Sequence, residues 1–186
     1  MTCGSYKLVG GDAVLGTGAT LSKSFSSLSP HLAARITFYF MKIGNWNNNN
    51  FIVTLDSTVL LTLPFLATDD TSAYKICSSA TYTEALRSID LYATHSATTM
   101  NLLFSTDLTL AAGQSSWGIF DLTVTLILCH STCKSCSLEN DATKCMSCDT
   151  GLYLQTSPGP SSCLSTCPDN YYKNDADNLC YSTCPG

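Results

Sequence analysis

The sequence predicts a mainly β fold: an antiparallel β-sandwich, jelly-roll-like in outline, followed by a small disulfide-rich region. Three observations predict it. Short runs of period-two alternation recur through residues 1–128, as half-buried antiparallel strands require. Turn-forming residues separate those runs. The cysteines are placed unevenly, with only Cys3 and Cys77 of the 11 lying before Cys129.

The strands follow in order. From Ala34 to Phe40, Ile36, Phe38 and Phe40 fall on one face. Phe51, Val53 and Leu55 repeat the pattern after an Asn-rich turn, and Ile89, Leu91 and Ala93 repeat it again. Leu122, Val124, Leu126 and Leu128 alternate with Asp121, Thr123 and Thr125. Turns are expected at Gly10-Gly11-Asp12, Asn45 to Asn50, Asp69-Asp70 and Ala112-Gly113-Gln114. A short helical stretch is expected near Thr83 to Arg87. Many short strands with turns between them suit a sandwich or jelly roll.

Apolar residues make up 45% of the chain and charged residues 12%, a balance that buries a core and argues against disorder. The net charge is -5, and the few lysines and arginines are scattered, so no stripe awaits a nucleic-acid backbone. The longest apolar stretch, around Leu122 to Cys129, is too short for a membrane span and is broken by threonines. Met1-Thr2-Cys3-Gly4 opens no apolar leader, so a mature chain or a piece of a longer one is expected. No Asn-x-Ser/Thr sequon is present, so glycosylation adds nothing to the case for secretion.

Residues 129–186 form the second region. Alternation is lost, Gly, Pro, Ser, Asn, Asp and Cys take over, and too few apolar residues remain for an unaided core. Density of this kind reads as a disulfide framework in a secreted protein. The register runs Cys129-x3-Cys133-x2-Cys136-x8-Cys145-x2-Cys148-x14-Cys163-x3-Cys167-x12-Cys180-x3-Cys184. Zinc is the rival reading, since Cys133-x2-Cys136 and Cys145-x2-Cys148 have paired-knuckle spacing. Zinc leaves the flanking cysteines of the same register unexplained, so no metal is expected there.

The texts C-x3-C-x2-C, C-x2-C-D-x-G-x-Y-L, C-x3-C-P-x-x-Y-Y and C-x3-C-P resemble the furin-like, growth-factor-receptor cysteine-rich repeat over the whole of 129–186. The resemblance implies the pairs Cys129–Cys136, Cys133–Cys145, Cys148–Cys163 and Cys167–Cys180. Cys3–Cys77 would then staple the first region. Cys184 is left over, and a continuation of the chain is expected to supply its partner. In residues 1–128, Leu28-Ser29-Pro30-His31, Arg35 to Phe40, Ile43 to Phe51, Val53 to Asp56 and Ser116 to Asp121 together resemble a β-sandwich domain found beside furin-like repeats in large surface proteins of ciliated protozoa. The loop Asn45-Trp46-Asn47-Asn48-Asn49-Asn50 departs from that pattern. It carries amides where the family has carboxylates, which removes the charge that would hold a hard cation.

Catalysis finds little to stand on. There are three histidines and two glutamates, with no Gly-x-Ser-x-Gly elbow, His-Glu-x-x-His or phosphate-binding loop, so a non-enzyme and no cofactor are expected. Carbohydrate binding has a sharper candidate in Asn45, Trp46 and Asn47, an aromatic platform flanked by amides. The plainer reading is that Trp46 plugs the end of the sandwich and the asparagines turn the chain. Trp117 reads as core. Structural calcium has one candidate place, Asp69 and Asp70, where an exposed turn is the plainer reading. Asp175 and Asp177 read as solvated loop, and His31 as bonding backbone ahead of a strand.

The expectation is therefore an extracellular or cell-surface structural or interaction module, serving a surface coat, adhesion or filament assembly. Its partners would be other extracellular chains or copies of itself. The alternative is a lectin-like domain displayed on a cysteine-rich stalk.

Overall fold

A computed structural model describes residues 2–65, 77, 84–157 and 159–183. The described strands are β1 (Thr2–Cys3), β2 (Tyr6–Lys7), β3 (Val9–Leu15), β4 (Leu21–Phe25), β5 (His31–Gly44), β6 (Asn49–Leu55), β7 (Thr58–Phe65), β8 (Ala85–Thr94), β9 (Met100–Thr106), β10 (Ser115–Leu128), β11 (Cys133–Cys136), β12 (Cys145–Cys148), β13 (Tyr153–Gln155), β14 (Ser162–Leu164), β15 (Tyr172–Asn174) and β16 (Leu179–Tyr181). Among the described residues no helix is long and apolar enough to cross a membrane. Two compact units emerge. One comprises Met1–Phe25, Ile36–Leu91 and Thr99–Val124; the other comprises Ser26–Arg35, Tyr92–Thr98 and Thr125–Gly186. The second unit therefore takes strand residues from β5, β8 and β10 besides the cysteine-rich segment.

The first unit is an all-β sandwich. One sheet has the order β3-β10-β5-β8 and the other β4-β9-β6-β7. In the second sheet β4 pairs β9, β9 pairs β6 and β6 pairs β7, all antiparallel. The β6–β7 hairpin turns on Asp56 (φ 45°) and Ser57 (φ 72°). Two successive positive φ values give the turn twist that matches a right-handed hairpin. The Asp56 carboxylate also accepts the Asn101 N–H at 2.7 Å, which ties the turn to the start of β9.

The core is aromatic. Phe38, Phe40, Phe51, Phe65, Phe104, Trp46 and Trp117 are buried. Phe40 stacks on Phe51 with ring centroids 3.9 Å apart, and Phe51 meets Trp117 at 5.6 Å. Phe38 sits edge-on to Phe104 at 5.1 Å. Such pairs add to the area they bury.

β5 departs from simple alternation at its end, where Phe40 to Gly44 are all buried. The far face of this sheet is covered too: Met41, Ile43 and Phe120 join Cys3 and Leu8 in a second cluster, with Tyr6 and Cys77 packed against it. The Cys3–Cys77 bond spans 74 residues of sequence. Closing a loop of that length is worth about 4.5 kcal/mol on the chain-entropy account. At the end of β5, Gly44 has φ 79°, and a Cβ there would lie 2.2 Å from the Gln114 carbonyl oxygen.

Two local expectations are corrected. Gly10-Gly11-Asp12 lies inside β3, where Gly10 (φ 91°) and Gly11 (φ 113°) kink a strand that pairs with Trp117 to Ile119. A Cβ on Gly10 would come within 2.7 Å of the Trp117 carbonyl, so the close approach of two backbones explains the glycine as well as a turn would. The helical stretch expected near Thr83 to Arg87 is strand from Ala85 onward, because Leu86 packs on the second cluster; Thr83 is outside the described residues. The pattern of β10 shifts at Asp121 (φ 54°). Trp117 packs into the core, Phe120 packs on Tyr39 and Tyr6 on the other side, and Leu122 and Val124 line a slot with Phe104. One left-handed residue thus marks the point where the apolar set moves from odd to even positions.

The second unit is held differently. Cys129 joins Cys136, Cys133 joins Cys145, Cys148 joins Cys163 and Cys167 joins Cys180. Cys129, Cys133, Cys136, Cys145, Cys148, Cys163 and Leu154 form its buried cluster, with Leu32, Leu152 and Leu179 packed against it. β11 pairs β12, and a small sheet has the order β14-β13-β16-β15. The Tyr153 hydroxyl donates to Asp175, and that of Tyr181 to Asp177. These carboxylates, read from sequence as solvated loop, are acceptors that pin two tyrosines. Cys184 lies outside the described residues.

Two outcomes follow from this packing. Phe51→Ala is expected to cost about 3–5 kcal/mol in denaturant unfolding with the disulfides intact. Peptide mass spectrometry of the unreduced protein is expected to recover the five bonded pairs; free thiols at Cys133, Cys136, Cys145 and Cys148 would contradict them.

Candidate functional site

The Asn-rich loop joins β5 to β6. The Asn45 N–H donates to the Gln114 carbonyl at 2.8 Å. Trp46 then turns inward: its exposure is 0%, and its indole Nε1–H lies 3.2 Å from the Ile43 carbonyl and 3.1 Å from that of Ser116. Phe40 and Phe65 pack edge-on against it at 5.8 and 5.3 Å. The stacking role considered for Trp46 is corrected on this geometry, because a buried ring offers no face to a sugar. Asn45 is half-buried and Asn47 exposed.

What the loop does hold is a carboxylate. The Asn50 backbone N–H and its amide Nδ2 each donate to Asp107 at 2.6 Å, one to each oxygen. Asn49 Nδ2 donates to the Asp107 carbonyl at 3.0 Å, and the Asn47 N–H to Asn49 Oδ1 at 3.3 Å. Partial burial pushes the Asp107 carboxyl up, but the bonds from Asn50 and Asn49 outweigh it and hold the group below its ordinary value. Asp107 was not among the residues singled out from sequence. Nothing local marks it, since its partners stand over fifty residues away.

A polar concavity belongs to the cysteine-rich unit. A cleft of about 670 Å³ is lined by Ser29, Pro30, Leu126, Leu128, Cys129, His130, Ser131, Glu139, Asn140 and Asp149. The chain reaches it through short, locally bonded turns. Asn140 takes the left-handed conformation (φ 49°) and donates its N–H to the Leu128 carbonyl at 3.0 Å, a conformation asparagine tolerates. Next to it, Thr143 donates its hydroxyl at 2.7 Å and its N–H at 2.8 Å to Asp141 Oδ1, which holds the Asp141 carboxyl below its ordinary value. The Thr132 N–H points at His130 Nδ1 from 3.3 Å, and the Thr132 hydroxyl lies 2.9 Å away. Nδ1 therefore accepts, and the neutral ring carries its proton on Nε2 as a donor. The cleft combines carboxylate acceptors, hydroxyls, an amide and an imidazole with an apolar wall of Pro30, Leu126 and Leu128. Asn45, Trp46 and Asn47 are not part of it. The calcium candidates Asp69 and Asp70 lie outside the described residues. Among the described residues no group of three or more His, Cys, Asp or Glu converges to hold a metal ion.

The Asp107 clamp has a pH signature. A carboxylate whose folded value is depressed contributes stability above its unfolded value and loses it as pH falls through the folded one. Asp107→Asn is expected to lower the melting temperature at pH 7, with the difference from wild type closing below about pH 4. A difference unchanged down to pH 2 would show that the clamp does not depend on charge.

No protein-family model matches this chain, and no curated protein matches it. Five solved chains do. A sugar-binding protein, the EclA C-terminal domain, is 12% identical with a TM-score of 0.43, over 67% of this chain and 81% of that one. The dimeric latent PorU of Porphyromonas gingivalis is 9% identical with a TM-score of 0.43, over 65% of this chain and 13% of that one. A family 35 carbohydrate-binding module from an environmental isolate is 16% identical with a TM-score of 0.32, over 61% and 74%.

Proposed function

We propose that this chain is an extracellular carbohydrate-binding module without catalytic activity, and that the sugar sits in the cleft of the cysteine-rich unit. The observation that carries the reading is the lining of that cleft. Glu139, Asn140 and Asp149 supply the acceptors and amide that hydroxyl pairs require, His130 adds a ring donor, and Pro30, Leu126 and Leu128 form a wall for the C–H face of a ring. Concave sites of mixed apolar and polar lining are where small ligands bind. The two carboxylates favour a neutral or amino sugar over an acidic one. Extracellular placement rests on the five disulfides, which persist in oxidising compartments.

A second reading, assembly with other chains or copies of this one, is favoured by apolar side chains the cysteine-rich unit leaves exposed, among them Tyr92, Leu138 and Tyr172. Sedimentation at rising concentration tests it; a monomer throughout removes self-assembly.

The sugar reading is tested on a glycan array followed by titration calorimetry. Asp149→Asn and Glu139→Gln are each expected to weaken binding about tenfold, the loss of one charge-assisted hydrogen bond, while Asn47→Ala leaves it unchanged. Absence of binding by the wild type, or an equal loss in Asn47→Ala, would overturn the assignment to this cleft.

A further inference from the structure

A different cavity of the cysteine-rich unit, of about 420 Å³, is lined by His31, Leu32, Thr94, His95, Ser96, Ser135, Cys136 and Met146. Its two histidines face each other. His31 Nε2 lies 2.6 Å from His95 Nδ1, and the rings are within 15° of parallel with centroids 4.9 Å apart. Two ring nitrogens at that distance are joined in one of two ways, by one ring's N–H donating to the other's lone pair or by a cation that both lone pairs hold.

The surroundings of His31 suit a metal ligand. Its other nitrogen, Nδ1, lies 2.6 Å from the Ser29 carbonyl oxygen. A carbonyl only accepts, so Nδ1 carries the hydrogen and the neutral ring turns the Nε2 lone pair toward His95. Histidines that ligate metals are oriented in this way, by donating the second ring N–H to a carbonyl or carboxylate. His31 is 1% exposed, so its ring is fixed by packing as well as by that bond. The third group is Met146, a residue that lines the same cavity and is 63% exposed. An exposed methionine between the half-cystines of β12 contributes nothing to the core, and a thioether is a soft ligand. Two imidazoles with one thioether suit copper, and cuprous copper in particular.

We infer that His31, His95 and Met146 form a copper-binding site, with His31 Nε2, His95 Nδ1 and the Met146 sulfur as ligands. Copper–nitrogen distances near those of other first-row ions, about 2.0 Å at tetrahedral angles, place two ligand nitrogens about 3.3 Å apart. The rings must therefore part by roughly 0.7 Å, which a turn of the partly exposed His95 supplies. The site is separate from the sugar cleft, with which it shares no lining residue.

The test uses the full chain with its disulfides intact. Cuprous ion is delivered anaerobically as its acetonitrile complex and competed against a chromophoric chelator, with X-ray absorption reporting the ligand atoms. The wild type is expected to retain one equivalent, with two nitrogen or oxygen scatterers and one sulfur. Met146→Leu should lose the sulfur scatterer and weaken binding about tenfold or more, and its exposed position makes it safe for folding. His95→Gln should abolish retention while circular dichroism stays that of the wild type. The inference is overturned if the chelator strips the wild type completely, if His95→Gln retains copper equally, or if zinc binds and copper does not. In each case the histidine pair is a proton-sharing contact or a site for a different ion. None of these outcomes touches the sugar reading, whose variants lie elsewhere.

Discussion

The sandwich depends on one contact across its two sheets, the stack of Phe40 on Phe51. Phe40 belongs to β5 and Phe51 to β6, so the pair clamps the middle of one sheet to the middle of the other. Trp46, Phe65 and Trp117 gather round it, and the two tryptophans fill the space between the sheets. The inward turn of the loop follows from the same packing. Once the indole of Trp46 is buried and donating to carbonyls, the asparagines after it are placed to reach Asp107. The order of events in the sequence, tryptophan first and amides after, is thus a packing requirement that happens to put polar groups at the surface.

The cysteine-rich unit obeys other physics. Few apolar side chains are available, and its buried cluster is made mainly of half-cystines. Short turns are then closed one by one, through Asn140 on Leu128, Thr143 on Asp141, and tyrosine hydroxyls on Asp175 and Asp177. Where a hydrophobic core would impose one dense interior, a covalent frame leaves room between its loops. The cleft beside His130 and the cavity of His31 and His95 both lie in this second unit.

How much of this was legible in the sequence depends on whether the deciding neighbour is local. The faces of β5 and β6 were readable from alternation, because burial on one side is a property of the strand itself. Gly10 and Gly11 looked like a turn, since glycine signals an unusual φ without saying whether the chain reverses or merely lets another backbone approach. Thr83 to Arg87 looked helical, because the packing of Leu86 on the cluster that holds Cys3 and Leu8 is invisible along the chain. The cysteine pairs could be named only through a family resemblance, as spacing alone admits many pairings. Asp107, the lining of the cleft and the meeting of His31 with His95 were illegible for one reason: each joins residues brought together by tertiary structure alone.

The bond between Cys3 and Cys77 also has a mechanical meaning. It lies near the beginning of the chain and encloses 74 residues of sequence. A pull applied to Thr2 and a later strand runs through sulfur and bypasses everything from β2 to β7. That withholds roughly 250 Å of contour from extension, and the four bonds of the second unit withhold further short loops. Under tension the extensible length then lies mainly between Cys77 and Cys129, roughly 180 Å of contour, so β8, β9 and β10 carry the load that β2 to β7 are spared.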